Sequence, residues 1–158
     1  MKEDLLKRLV LIFCVLFAAL SASAIADSNT MMSSAMTPTI AMPDSLKWTP
    51  LKGFQGAWVA VIYGTPDKPG SGEYAERLKM NDGVKFPVHY HLQTEQVTVL
   101  SGTIMVGIGS KFDASKMTSF GPGAFAAIPA HLNHYAQAKG ETIIEIHGNA
   151  PDSLVIVK

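Results

Sequence analysis

The segment 83–102 has the sequence GVKFPVHYHLQTEQVTVLSG. Successive side chains of a β-strand point to opposite faces, so residues two apart share a face. His89 and His91 are therefore predicted to share one face of a strand, while Tyr90 points the other way. Glu95 lies on the apolar face of the amphipathic strand that follows. A buried carboxylate is costly unless it is paired or bound to a metal ion, and the two nearby imidazoles indicate a metal site.

The first 26 residues are typical of a secretory signal peptide. Basic residues precede an apolar run at 9–20, and small residues follow at 21–26. The run is short for a membrane span, although an uncleaved anchor is the alternative. Cleavage after Ala24 and cleavage after Ala26 fit the pattern equally well. The sequence therefore predicts an exported protein, periplasmic or secreted, without a stable membrane span in its mature form.

The mature chain predicted in this way has a restricted chemistry. The single cysteine, Cys14, lies within the apolar run and leaves with it, so metal ligands must be nitrogen and oxygen atoms. About 132 residues remain, enough for one domain with a hydrophobic core. They carry ten basic and eleven acidic residues without a basic stripe, so nucleic acid is not an expected partner.

Residues 27–45 are predicted to be a flexible linker, rich in Ser, Thr, Met, Ala and Pro and without apolar periodicity. The thioethers of Met31, Met32, Met36 and Met42 could bind copper. Their spacing is irregular and no histidine accompanies them, so a low-complexity linker is the favoured interpretation.

Residues 46–158 are predicted to form short strands separated by Gly, Pro, Asn and Asp. Only residues 113–117 indicate a helical turn. Strands at such regular spacing predict an all-β sandwich or barrel in one domain. The predicted strands are 56–63, 73–80, 95–100, 103–108, 124–128, 134–138, 142–147 and 154–157.

The spacing of Gly83, His89, His91, Glu95 and Gly102 resembles the first sequence motif of the cupin superfamily at every position. The segment 123–134, which ends in a histidine, resembles the second cupin motif. The short intermotif stretch is similar to that of small single-domain bacterial cupins. The resemblance implies a double-stranded β-helix, the jelly-roll barrel of the cupins, over residues 46–158.

The second motif departs from the family pattern at two positions. His131 stands two residues after Pro129, where the family usually has glycine. Ala138 stands four residues after His134, where the family usually has asparagine. Neither position is a metal ligand in the family, so the departures concern the shape of the turn and not the metal site.

The resemblance implies that His89, His91, Glu95 and His134 are the four protein ligands of one divalent transition metal ion. Imidazole and carboxylate suit Fe, Mn, Ni, Cu or Zn, and the residues do not distinguish among these metals. Four protein ligands would leave two positions for water, substrate or dioxygen. The alternative is a cupin that has lost its metal, with histidines satisfied by hydrogen bonds.

The sequence assigns no catalytic residue firmly, and Arg77 and His147 are the candidates. Arg77 could hold a substrate carboxylate through two hydrogen bonds, but an ordinary ion pair is favoured. His147 could carry protons near the metal, but a structural histidine is favoured. Glu145 is the only candidate for a second carboxylate beside Glu95, and the direction of its side chain stays open.

Three functions are compatible with these observations. The favoured one is a metalloenzyme that acts on a small organic substrate in the barrel, with chemistry like that of a dioxygenase or of a lyase or decarboxylase. The alternative is a non-catalytic protein that binds a metal or a small ligand. A metal-independent isomerase of the sugar-epimerase type is less favoured, since no facing pair of histidine base and tyrosine acid was identified. The resemblance also makes a homodimer plausible.

Overall fold

The computed structural model describes residues 37–158. The predicted signal peptide and residues 27–36 of the predicted linker lie outside the described residues. Short 3-10 turns occupy Pro43–Ser45 and Ala114–Lys116, the second where a helical turn was predicted. The strands are β1 (Thr49–Pro50), β2 (Ala57–Tyr63), β3 (Glu73–Met80), β4 (Lys85–Tyr90), β5 (Glu95–Ile108), β6 (Thr118–Phe120), β7 (Phe125–Ile128), β8 (His134–Asn149) and β9 (Val155–Ile156).

The predicted strands are confirmed in position, with two systematic differences. The two strands predicted at 95–100 and 103–108 form the single strand β5, and those at 134–138 and 142–147 form β8. Two short strands, β1 and β6, were not predicted. The alternation predicted around His89 holds as far as Tyr90, where β4 ends, and His91 is the first residue beyond the strand.

The long strand β8 organises the sheet. Along one edge it pairs with β4 through residues 134–137 and with β3 through residues 142–149. Along the other edge it pairs with β5 over most of its length. All these pairings are antiparallel, and the full order is β1-β2-β3-β8-β4-β9, with β5 also pairing β6 and β7. The two halves of β8 thus pair with different strands, β4 and β3, along one edge, while β5 runs along the other edge. The sheet therefore curls into a barrel, as the sequence predicted.

Gly102 marks the corner at which β5 turns against β8. The register between these strands shifts just before it, between Val99 and Ser101, and again across it, between Ser101 and Thr103. Its φ of 72° lies in the left-handed region, and a Cβ there would collide with the carbonyl oxygen of Glu141. Any side chain would therefore be both strained and blocked by backbone. This close approach explains why a glycine ends the first motif.

The barrel encloses an apolar interior built from the inward residues of the long strands. These residues include Leu78, Val99, Ile104, Ile144 and Ile146. They line a cavity of about 630 Å³. The fold therefore combines a hydrophobic core with space for a bound molecule.

We expect Gly102→Ala to destabilise the protein more than Gly70→Ala does. Gly70 has nearly the same φ, 73°, but nothing lies within 4 Å of a Cβ placed there. Gly70→Ala should therefore lower the free energy of unfolding by about 1–2 kcal/mol, the strain of the left-handed conformation alone. Gly102→Ala should cost a further 1–3 kcal/mol or so because the methyl group meets backbone. Denaturant unfolding measures both variants, and equal losses would contradict the corner role of Gly102.

Candidate metal centre

Three buried histidines converge where β4 and β8 meet. In the antiparallel pairing of these strands His89 lies opposite His134, the first residue of β8. The ring centroid of His89 lies 4.1 Å from that of His134 and 5.1 Å from that of His91. One donor nitrogen from each ring lies within 4.8 Å of the others. The three residues are thus placed to bind a metal ion.

Backbone carbonyls fix the orientation of two of these rings. The Nδ1 atom of His89 lies 2.7 Å from the carbonyl oxygen of Pro87, and that of His134 lies 2.9 Å from the carbonyl oxygen of Leu132. A carbonyl oxygen only accepts hydrogen bonds, so each Nδ1 carries the proton. The lone pair is then on Nε2, as a metal ligand requires.

Glu95 completes the cluster as the first residue of β5. Its buried Oε2 atom lies 3.5 Å from Nε2 of His91 and 3.6 Å from Nε2 of His134. The structure therefore brings together all four residues that the resemblance implied as ligands. A carboxylate oxygen among three imidazoles is a donor set suited to a divalent transition metal.

His91 provides the observation that tests whether a metal fits. Both of its ring nitrogens are buried, and neither makes a hydrogen bond to any residue of the range 37–158. Buried polar atoms without a partner are rare and costly in proteins. A cation held between Nε2 and the carboxylate of Glu95 would satisfy this nitrogen, so the residues present fit a metal ion.

Burial and neighbouring charges set the protonation of these rings. Burial lowers the pKa of His89 to about 4, despite its hydrogen bond to Pro87, so this ring is neutral at neutral pH and free to bind a metal. Burial also disfavours the charged form of His91. The nearby carboxylates of Asp152 and Glu95 outweigh burial, and the pKa of His91 is raised.

The cavity beside the cluster is mostly apolar. All four cluster residues line it. Phe54 and Phe86 stack against each other on its wall with ring centroids 4.4 Å apart. Among the described residues, Lys52 and Lys85 are the only lysines or arginines that line it. The site therefore joins a polar, metal-binding end to a hydrophobic chamber.

Two further carboxyl groups line this cavity and were not predicted. Glu76 in β3 is buried, with 7% of its surface exposed. Asp152 lies after β8, and its Oδ1 atom accepts a hydrogen bond of 3.0 Å from the hydroxyl of Tyr74. The same oxygen lies 3.7 Å from Nδ1 of His91. Glu145, the only candidate that the sequence offered for a second carboxylate beside Glu95, does not line this cavity.

Glu145 lies on the outside of the sheet, together with both candidate catalytic residues. Arg77 donates a hydrogen bond of 2.7 Å from Nε to one oxygen of Glu145, and Nε2 of His147 lies 2.9 Å from the other. These three residues line a separate polar pocket and not the cavity of the metal ligands. Arg77 forms the ordinary ion pair that was the favoured interpretation. The structure does not support a catalytic role for Arg77 or His147 at the metal centre.

The departure at His131 is accommodated by the backbone. His131 is exposed in the turn before β8 and has a φ of 63°, the left-handed conformation that the usual glycine adopts freely. Its N–H donates to the carbonyl oxygen of His91 over 2.9 Å. The turn therefore keeps its shape and still supports a metal-site residue.

Solved structures similar to this one are cupin barrels. The polyketide cyclase RemF from Streptomyces resistomycificus aligns with a TM-score of 0.63 at 16% identity, covering 77% of this chain and 87% of that one. A cupin-2 domain protein from Rhodospirillum rubrum aligns at 0.58 and 15% identity, covering 77% and 80%. An RmlC-like cupin from Shewanella frigidimarina aligns at 0.57 and 14%, covering 72% and 91%.

No family model matches the sequence, and no curated protein matches it either. At these identities the structural likeness establishes the fold, and the fold is that of the cupin barrel. Within residues 37–158 the structure contains no helix of the length and apolarity needed to cross a membrane.

We expect the protein to bind one divalent transition metal ion per chain through this cluster. His91→Ala removes one donor and should weaken binding at least about 100-fold, whereas His147→Ala, on the outer face, should leave the affinity unchanged. Calorimetric titration of the metal-stripped protein with Mn, Fe, Ni, Cu or Zn measures this. Metal binding should also stabilise the folded state by about 2.7 kcal/mol at 100 times the dissociation constant. Equal affinity of His91→Ala and the unaltered protein would place the metal elsewhere.

Proposed function

We propose that this protein is an exported mononuclear metalloenzyme that acts on a small, largely apolar organic molecule bound inside the barrel. His89, His91, His134 and Glu95 would hold the ion. When bound, the metal would supply a Lewis acid with open coordination positions for an oxygen of the substrate or for dioxygen. The observation that carries the proposal is that a metal-binding cluster and two further carboxyl groups line one cavity.

The cavity wall supports an apolar substrate. Its volume of about 630 Å³ lies in the range of ordinary small-molecule sites. The stacked rings of Phe54 and Phe86 favour a flat or aromatic molecule. Lys52 and Lys85 are its only lysines or arginines within the described part of the chain, so the cavity offers little to neutralise a substrate with several phosphates or carboxylates. One oxygen function directed at the metal ligands is the expected polar anchor.

Two classes of reaction fit this site, dioxygenation and the non-oxidative chemistry of lyases or decarboxylases. The polyketide cyclase from Streptomyces resistomycificus shows that a barrel of this shape can belong to an enzyme. Fold does not define a reaction, however, so the choice must come from the site. The buried carboxyl group of Glu76 and the half-buried one of Asp152 favour chemistry in which a proton moves.

The non-catalytic alternative is weakened by Glu76. A binding protein was plausible because the sequence offered no acid or base beside the ligands. Glu76 is a titratable group in the cavity that the metal-binding cluster does not require. Placing a buried carboxyl beside a binding cavity is costly, and that cost is typical of active sites.

We expect turnover to depend on the metal and on Glu95. The metal-stripped protein, reloaded with each of Mn, Fe, Ni, Cu and Zn, is incubated with a panel of aromatic and alicyclic carbonyl compounds and analysed by mass spectrometry. One metal should restore turnover, and Glu95→Gln should lower it at least about tenfold because a charged ligand is lost. Glu145→Gln, which alters a carboxyl on the outer face, is the matched control. Turnover that survives both chelation and Glu95→Gln would rule out the proposed metalloenzyme.

A further inference from the structure

Glu76 is a buried carboxyl without a cationic partner among the described residues. It lies at the centre of β3 and pairs across the sheet with Val61 on β2 and Ile146 on β8. The guanidinium of Arg77, its neighbour in sequence, is on the opposite face and is bonded to Glu145. An isolated carboxylate in such surroundings is strongly disfavoured, so the group is held in its protonated form.

Neighbouring acids reinforce this effect. Burial first, and then the negative charges of Asp152, Asp67 and Glu95, raise the pKa of Glu76 to about 8. Asp152 lies beside it and accepts a hydrogen bond of 3.0 Å from the hydroxyl of Tyr74. Glu76 is thus held in its protonated form at neutral pH. A carboxyl whose pKa is raised toward neutrality by burial is suited to act as a general acid or base.

The position of the pair gives it access to a bound molecule. Glu76 and Asp152 line the same cavity as the four metal-binding residues, and the rest of that wall is largely apolar. Tyr74 orients Asp152 through its hydroxyl, and Asp152 in turn faces both Glu76 and the ring of His91. A substrate anchored at the metal ligands would therefore extend past a carboxyl group that can give or take a proton.

We propose that Glu76 is the group that transfers a proton to and from the molecule bound in the cavity, with Asp152 as its positioning partner. As an acid, Glu76 gives its carboxyl proton to a substrate atom whose electron pair forms the new bond to hydrogen. The electrons of the broken O–H bond stay on the carboxylate, which regains a proton from water. As a base, the carboxylate takes a proton from a substrate atom, and the electron pair of the broken bond stays on that atom. This inference rests on the proposed function, because it names the proton-transfer residue of that site.

The test uses nitrobenzisoxazole, an apolar aromatic probe that needs no knowledge of the natural substrate. A carboxylate removes the proton on the carbon of its isoxazole ring. The electrons of that C–H bond then form the nitrile, the N–O bond breaks, and the released cyanonitrophenolate is coloured. The assay is run on metal-stripped and metal-loaded protein, with Glu76→Gln, Glu76→Asp and the outer-face control Glu145→Gln.

We expect the metal-stripped protein to catalyse this elimination and Glu76→Gln to lose about 100-fold of the rate. The rate should increase as the pH rises through the pKa of Glu76, near 8, since only the ionised form is a base. Glu76→Asp keeps a carboxyl and should retain part of the rate, and Glu145→Gln should retain all of it. A rate in the unaltered protein no higher than in Glu76→Gln overturns the proposal. The proposal is also overturned if Glu76→Gln lowers the elimination rate only in the metal-loaded protein.

Unfolding experiments provide a second measurement that needs no probe. A carboxyl whose folded pKa is raised above its ordinary value stabilises the fold fully at low pH and loses that contribution as the pH rises through the folded pKa. The unaltered protein should therefore lose stability relative to Glu76→Gln between about pH 5 and about pH 9, without metal. Parallel pH profiles would show that Glu76 is not held protonated and would overturn the proposal. Calorimetric titration with metal does not depend on either of these results. A protein that binds no metal would therefore contradict the proposed function without deciding the role of Glu76.

Discussion

The antiparallel pairing between β4 and β8 is the constraint on which the rest of this structure depends. It sets His89 opposite His134, although these residues are far apart in the sequence. Because β8 continues as a single strand to pair with β3, the same element also fixes the wall that carries Glu76. The strand β8 thus pairs directly with the strands that carry His89, Glu95 and Glu76. A shift of one residue in the register of β8 would turn His134, Ile144 and Ile146 away from the cavity.

The sequence predicted the fold because its signals were local. Alternating strands and turn residues define the elements, and the two motifs bring the cupin resemblance. The motif spacing also identified His89, His91, Glu95 and His134, which the structure places together. The merging of predicted strands into β5 and β8 was missed because glycines at their corners, such as Gly102, look like turns in the sequence. Only the pairing of β5 with β8 shows that each strand continues through its glycine.

The residues beyond the ligands were harder to predict, for two physical reasons. Glu76 lies on the apolar face of β3 with Tyr74, Leu78 and Met80, so the alternation in the sequence marks a buried carboxyl there just as it does for Glu95. Its neighbour Arg77 carries the more familiar substrate-binding chemistry but points outward. Asp152 gave no signal, since it lies in an irregular segment without periodicity. Its position depends on a backbone hydrogen bond of 2.8 Å from its own N–H to the carbonyl oxygen of Pro66.

The short strand β9 and the irregular segment before it close one wall of the cavity, and this has a consequence for the timing of assembly. Asp152, Leu154 and Ile156 all line that wall, and β9 adds to the edge of β4 beside His89. A ribosome releases these residues after every histidine of the cluster has been made. The chamber can therefore take its final shape only after synthesis has passed these residues.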